Sequence, residues 1–232
     1  MRALLGVVVL ALIGALAAWQ GLRGSLARLE GEVALPGLSS PVTISRDALG
    51  VVTIEAGSEA DVVRALGFVH AQERFFEMDL ARRSAAGELS ALLGPATVPM
   101  DRERRVHRLR ARVAEHILDP KVLGSWRPLL DAYSAGANAG LAALSVRPWP
   151  YVLLRQRPAA WTAEDTVLTG NALYFDLQGY HSFARLALWR LSRSLPAPLF
   201  AMLNHGGTSW DAPIVGESLG DAPLPGPDVI DL

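Results

Sequence analysis

The hydrophobic pattern begins with an uninterrupted block. Behind Met1 and Arg2, the 17 residues from Ala3 to Trp19 carry no charge. That length is short for a membrane span and slightly long for the core of a signal peptide. Ala15-Leu16-Ala17 places small residues at the spacing a signal peptidase reads. Arg2 before the block and few charges after it keep the N-terminus inside and send the rest across. Residues 1–19 are thus a signal peptide or a membrane anchor, and the charge asymmetry favours the anchor. Either implies a periplasmic or extracellular protein, attached to the inner membrane if residues 3–19 are not cleaved.

Residues 20–40 form a linker ending in Pro36-Gly37 and two serines. Two β-branched runs follow, Val42-Thr43-Ile44 and Val51-Val52-Thr53-Ile54. Joined through Asp47-Ala48-Leu49-Gly50, they predict a hairpin. Ser58, with Asp61 three residues on, predicts a capped helix from Glu59 to about Ala86, stopped by Gly87. Its apolar stripe is Val62, Leu66, Val69, Phe76 and Leu80. Glu73 fills the missing position and Arg83 continues the series. A charge on a core-facing stripe is costly unless paired. Glu73 is therefore expected to be buried against Arg82, Arg83 or Arg46.

Further helices are predicted at Glu88–Leu93, at Asp101–His116, and at Pro128–Leu144, where Pro128 suits a first turn. Pro148–Pro158 reads as a loop. Thr162 and Asp165 repeat the capping pattern and open a helix to about Phe175, and Ser182–Ser194 forms another. From Gly206 to Leu232, Gly, Pro, Asp and Ser predominate without helical period, as in a spacer. There are no internal repeats.

Composition sharpens this little. The chain has 232 residues, half of them hydrophobic, 22 basic and 23 acidic, and no cysteine. A core can form, and disulfides and thiolate metal sites are excluded. Net charge of −1 provides no field for nucleic acid. The arginines of residues 102–112 read as a solvated helix face.

No self-contained active site emerges. Gly216-Glu217-Ser218-Leu219-Gly220 has the G-x-S-x-G spacing of a nucleophile elbow, but Pro223, Pro225 and Pro227 forbid the helix that must follow. No histidine follows Ser218 either. His70 and Glu73, three apart, make half a metal site, and a structural hydrogen bond to His70 is the better reading. Cleavage within Thr208-Ser209-Trp210 would leave a fragment too short for a core. The helices carry apolar stripes while the strands amount to one hairpin, which is marginal alone. Those stripes are expected to pack against a sheet this chain does not contain.

Several segments together resemble the penicillin acylase family of N-terminal nucleophile hydrolases. Ser45-Arg46-Asp47-Ala48-Leu49-Gly50-Val51-Val52-Thr53-Ile54 is similar to that family's RD-x-x-GVP-x-I, with Val52 in place of proline. Gly67-Phe68-Val69-His70-Ala71-Gln72-Glu73-Arg74, then Met78, Arg82-Arg83, Gly87-Glu88-Leu89 and Gly94, is similar to GY-x-HAQDR-x-x-QM-x-x-xRR-x-x-x-G-x-L-x-x-x-x-G, the most specific match. Asp101–Arg105, Ala132–Ala139 and Pro158–Asp165 follow in the family's order. The resemblance runs in register over residues 41–175 and loosely to about 215.

The resemblance implies a precursor from which a spacer is removed, leaving an α chain and a longer β chain. The β chain's new N-terminal serine is the nucleophile, with its own amine as base. No Ser-Asn pair occurs here, so the family's Ser-Asn-x-Trp start is missing and no catalytic residue is assigned. Residues 41–205 then correspond to an α chain, mostly helical with one hairpin. It is part of an αββα fold that a β chain completes. The implied substrate is a small N-acyl compound, a penicillin or another linear amide. Tyr174 and Gln178, four apart after Asp165, are the substrate-binding candidates; Glu73, Arg83 and Arg46 are the structural ones. The resemblance also implies calcium, but its α-chain ligand is not evident, since Asp176 is the only acid between Asp165 and Ser194. The alternative is a membrane-anchored, non-catalytic helical binding module derived from the same family.

Overall fold

The computed structural model describes residues 2–230, without the side chains of residues 2–5 and 179–181. Within it the chain divides into two units, residues 1–174 and 175–232.

Helix α1 (Arg2–Gly24) extends the N-terminal apolar block by one turn. Over Gly6–Gly24 it has mean hydropathy 1.6 and is long and apolar enough to cross a membrane. Residues 25–42 follow without regular structure. Strands β1 (Thr43–Arg46) and β2 (Val52–Glu55) then pair antiparallel, with Ile44 opposite Ile54 and Arg46 opposite Val52. Asp47 closes the turn, its Oδ1 accepting from the N–H groups of Leu49 and Val51. Gly50 there takes φ +79°, which glycine adopts without a Cβ clash.

Helix α2 (Glu59–Ala86) runs between the expected caps. Ser58 Oγ accepts from Asp61 N, and Gly87 ends it in the left-handed conformation. The buried face differs from the apolar stripe. It follows Asp61, Ala65, Phe68, Gln72, Phe75, Asp79 and Arg82, each one residue before a stripe position. The helix is non-helical at Arg74 (φ −146°, ψ 31°), and the same 4–3 spacing resumes beyond it. Four of these seven positions are polar or charged, so hydrophobicity alone points to the neighbouring row, which is mostly half-buried.

Short elements follow: α3 (Ser90–Leu93), α4 (Val98–Arg105), α5 (Leu109–Arg112) and α6 (Pro120–Leu123). The single helix expected over Asp101–His116 is broken, because Arg108 takes φ +51° and separates α4 from α5. Helix α7 (Trp126–Ala142) crosses α2 at very short range. A Cβ on Gly67 would lie 2.2 Å from Tyr133 O, and one on Gly136 would lie 1.9 Å from Arg64 O. The small residues of α7 thus set backbone against backbone. Helix α8 (Trp149–Leu153) lies within the expected loop and sends Tyr151 into the core.

One core cluster joins Phe75, Met78, Tyr151 and Trp161; a second joins Ala85, Val113, Leu118 and Leu168. Helix α9 (Ala163–Ser194) is continuous where two helices were expected. In the second unit, α10 (Ala197–Leu203) precedes a segment with neither helix nor strand to residue 230. Local bonds hold that segment, among them Ser209 N to Asp221 and His205 Nε2 with Gly220 O.

Candidate functional site

The densest chemistry in the described chain is a buried ion network between α2 and the start of α9. Asp79 is fully buried, and Arg82 is 4% exposed. Arg82 lies one turn after Asp79 on the same helix face, so its Nε reaches Asp79 Oδ1 at 2.7 Å. Its Nη1 donates to Asp165 Oδ2 at 2.6 Å and to Ala160 O at 2.9 Å, and Nη2 donates to Ala159 O at 3.1 Å. The guanidinium also packs on the rings of Trp161 and Phe75, 5.0 and 5.9 Å from their centres. A planar, always charged fork suits such a site as no lysine would.

Each carboxylate has further partners. Asp79 accepts from Arg83 Nε at 2.8 Å and from Tyr151 OH at 2.6 Å. Burial first, and then that bond to Asp79, push the Tyr151 phenol well above its ordinary range. Asp165 accepts from Arg110 Nη1 at 3.1 Å and from Thr162 N and Oγ1, both at 2.9 Å. Arg110 grips Glu88 with two bonds, which raises its affinity for its proton. Asn138 of α7 clamps Trp161, accepting from its N–H at 2.8 Å and donating to its carbonyl at 2.9 Å.

Buried carboxylates held by two cations each and by further donors are poorly placed to abstract a substrate proton. The network is a positioning device: it pins residues 159–165, and with them the first turn of α9, to α2 and α7.

Glu73 pairs with Arg46 of β1, one of the three partners expected for it, and lies 3.7 Å from Arg74, but it is not buried in the core; its side chain is 24% exposed. Arg82 and Arg83, the other expected partners, are both committed to Asp79. The reason is the one-residue offset of the buried face, which turns Glu73 toward the rim. The buried charge inferred for this helix exists, but it belongs to Asp79.

Tyr174 and Gln178 stand one turn apart on α9 and both are exposed. His70 Nδ1 meets Tyr133 OH at 2.9 Å, joining α2 to α7. Burial, helped by Arg74, lowers the His70 pKa, and burial pushes Tyr133 up to about 12. Ser218 Oγ donates to Thr208 O at 2.9 Å in an exposed segment and is followed by no helix. Among the described residues, no three His, Asp or Glu side chains cluster to hold a metal. Hydrophobic periodicity gives Asp79 and Trp161 no role. The signal that finds Asp79 is the 4–3 spacing 61–65–68–72–75–79–82, followed by position rather than by hydrophobicity.

The sequence profile of the Penicillin amidase family matches residues 41–210. This chain belongs to that family. Among penicillin amidase relatives, penicillin acylase 2 proenzyme of Pseudomonas sp. (strain SE83) is 42% identical over 144 residues, covering 61% of this chain. The acyl-homoserine lactone acylase QuiP of Pseudomonas aeruginosa is 33% identical over 156 residues, covering 66%. The chain spans 18% of the length of each of these two relatives. A solved chain of the thermostable penicillin G acylase from Alcaligenes faecalis superposes with TM-score 0.56 at 24% identity, covering 76% of this chain and 98% of that one. That likeness establishes the fold: mostly helical, with a two-stranded antiparallel hairpin.

Proposed function

We propose that this chain is the α-chain portion of an exported amidohydrolase that cleaves a linear amide of an N-acyl compound. The observation that carries the reading is a contrast in coverage. The chain matches 18% of a relative named as a proenzyme, yet it covers 98% of a solved penicillin G acylase chain. A region of this size thus corresponds to nearly the whole of one chain in that structure. The chemistry would be acyl transfer to the N-terminal serine of a β chain, followed by hydrolysis. Helix α1 provides for export, as a signal or as an inner-membrane anchor.

Within this chain the ion network holds the first turn of α9, and α9 presents Tyr174 and Gln178 toward the acyl group. Arg46–Glu73 and Arg83–Asp79 tie hairpin and helix into the same frame. The coil after α10 corresponds to the spacer. The described residues provide no ligand set for the family's calcium: Asp176 is exposed on α9, and among the described residues no three His, Asp or Glu side chains cluster.

The test is to purify residues 20–232 and assay phenylacetyl and long-chain acyl amides, alone and after co-expression with the β region. Turnover that appears only on co-expression, and that is abolished by replacing the β chain's first serine, supports the reading. Turnover by the isolated chain, or none in the assembled pair, overturns it. The second of those results would favour a non-catalytic binding module.

A further inference from the structure

We infer that the cleft between residues 28–44 and α2 is the seat of an extended strand supplied by the partner chain. The strand would add to the free edge of β1 and give Gln72 the hydrogen-bond acceptor it lacks. The partner is the β region proposed above, so the inference rests on that reading.

Four observations converge on the cleft. The first is a buried polar group without a partner. Gln72 is 6% exposed, and its Nε2 has no acceptor. An orphaned buried donor is costly, so native structures rarely retain one. The second is the space beside it. A cavity of about 630 Å³ is lined by Gln72, by Phe68 and Val69 of α2, by β1, and by the segment from Arg28 to Leu38. A second cavity of about 390 Å³ also reaches Gln72 and Leu29.

The third is an amphipathic strand pattern with nothing to pair with. In Leu29-Glu30-Gly31-Glu32-Val33-Ala34-Leu35, apolar residues alternate with Glu30 and Glu32, which is the period of a half-buried strand. Among the described residues, the backbone of 29–35 makes no backbone–backbone hydrogen bond. Leu29 and Val33 are exposed. The segment is nonetheless held at both ends. Gly24 O accepts from Val146 N at 2.9 Å, and Ser39 N donates to Asp61 at 2.9 Å. Gly31, at φ +93°, bends it, and glycine leaves that conformation at little cost.

The fourth is the hairpin itself. Its outward positions, Thr43, Ser45, Thr53 and Glu55, are polar and exposed. That face suits solvent, which leaves the outer edges of the two strands as the hairpin's unpaired hydrogen-bonding groups. The cavity runs along β1 and not along β2. An extended segment placed there is paired by β1 on one side and residues 29–35 on the other, the geometry of strand addition.

Hydrogen exchange on the full chain, alone and co-expressed with the β region, tests this. We expect amides of residues 29–35 and 43–46 to exchange at least about tenfold more slowly in the complex. Gln72→Leu should leave the melting temperature of the isolated chain unchanged or raise it. The same change should weaken the complex about tenfold, because it removes a bond made only there. An active complex in which these amides exchange as fast as in the isolated chain overturns the inference and spares the functional reading. An inactive complex with protected amides does the reverse. Failure to form a complex overturns both. Protection of the same amides in the isolated chain as its concentration rises would assign the cleft to a second copy and overturn the inference. Weakened stability of the isolated Gln72→Leu chain would likewise count against it.

Discussion

Arg82 Nη1 lies 2.6 Å from Asp165 Oδ2, an ion pair that spans 83 residues of sequence and joins α2 to the first turn of α9. Both partners are buried, and neither carboxylate of the network depends on Arg82 alone. Removing Arg82 nevertheless leaves Asp79 and Asp165 in the core with fewer cations.

Arg82→Met is therefore expected to destabilise the chain by roughly 3–5 kcal/mol, the cost of breaking a buried pair from one side. Arg82→Lys should recover little, because one ammonium cannot reach two carboxylates and two carbonyls. Glu73→Ala should cost about 1 kcal/mol or less, since its pair with Arg46 lies at the rim. Urea unfolding of residues 20–232 measures all three. Equal effects at Glu73 and Arg82 would contradict the assignment of the buried charge.

The α2–α7 crossing makes a second, geometric prediction. Gly136→Ala would set a Cβ 1.9 Å from Arg64 O, a backbone atom that cannot rotate away. The helices must separate, at a cost of about 2–3 kcal/mol. Gly170→Ala is the control. It lies within α9 with nothing within 4 Å of an added Cβ, and should stabilise by about 0.5–1 kcal/mol. Thermal melts of the two variants should move in opposite directions.

His70 makes stability depend on pH. Its pKa is lowered in the fold, chiefly by burial, so the unfolded chain binds the proton more tightly. Stability from this group is complete above the unfolded value of about 6.5 and is lost as pH falls through the folded value. His70→Phe should flatten the slope of unfolding free energy below about pH 6.5 while removing the bond to Tyr133. Denaturant midpoints taken from pH 8 to pH 5 give the comparison. An unchanged slope would exclude His70 as its source.

Limited proteolysis should cut first between Gly206 and Ile230. That stretch has neither helix nor strand, and its bonds are local and largely exposed. Exposed coil fits a protease cleft without unfolding anything else. First cuts inside α2 or α7 would count against a spacer there.

The sequence by itself determined the local grammar of this protein. The hairpin turn, the Ser58 and Gly87 ends of α2 and the coil after α10 all follow from short-range geometry, which neighbours in sequence settle among themselves. The family, too, is legible in the order of residues 67–94 alone. Tertiary structure decided which row of α2 faces inward. A hydrophobic count places Val62, Leu66, Phe76 and Leu80 in the core, whereas Asp79, Arg82 and Gln72 occupy it. Charged residues are buried there because partners from α5, α8 and α9, up to 83 residues away, neutralise and bond them. Periodicity registers how apolar a position is, not who will meet it, and a buried charge is stable only through that meeting. The same reason places Glu73 at the rim and breaks the expected helix at Arg108, with Arg110 beyond the break gripping Glu88 and Asp165.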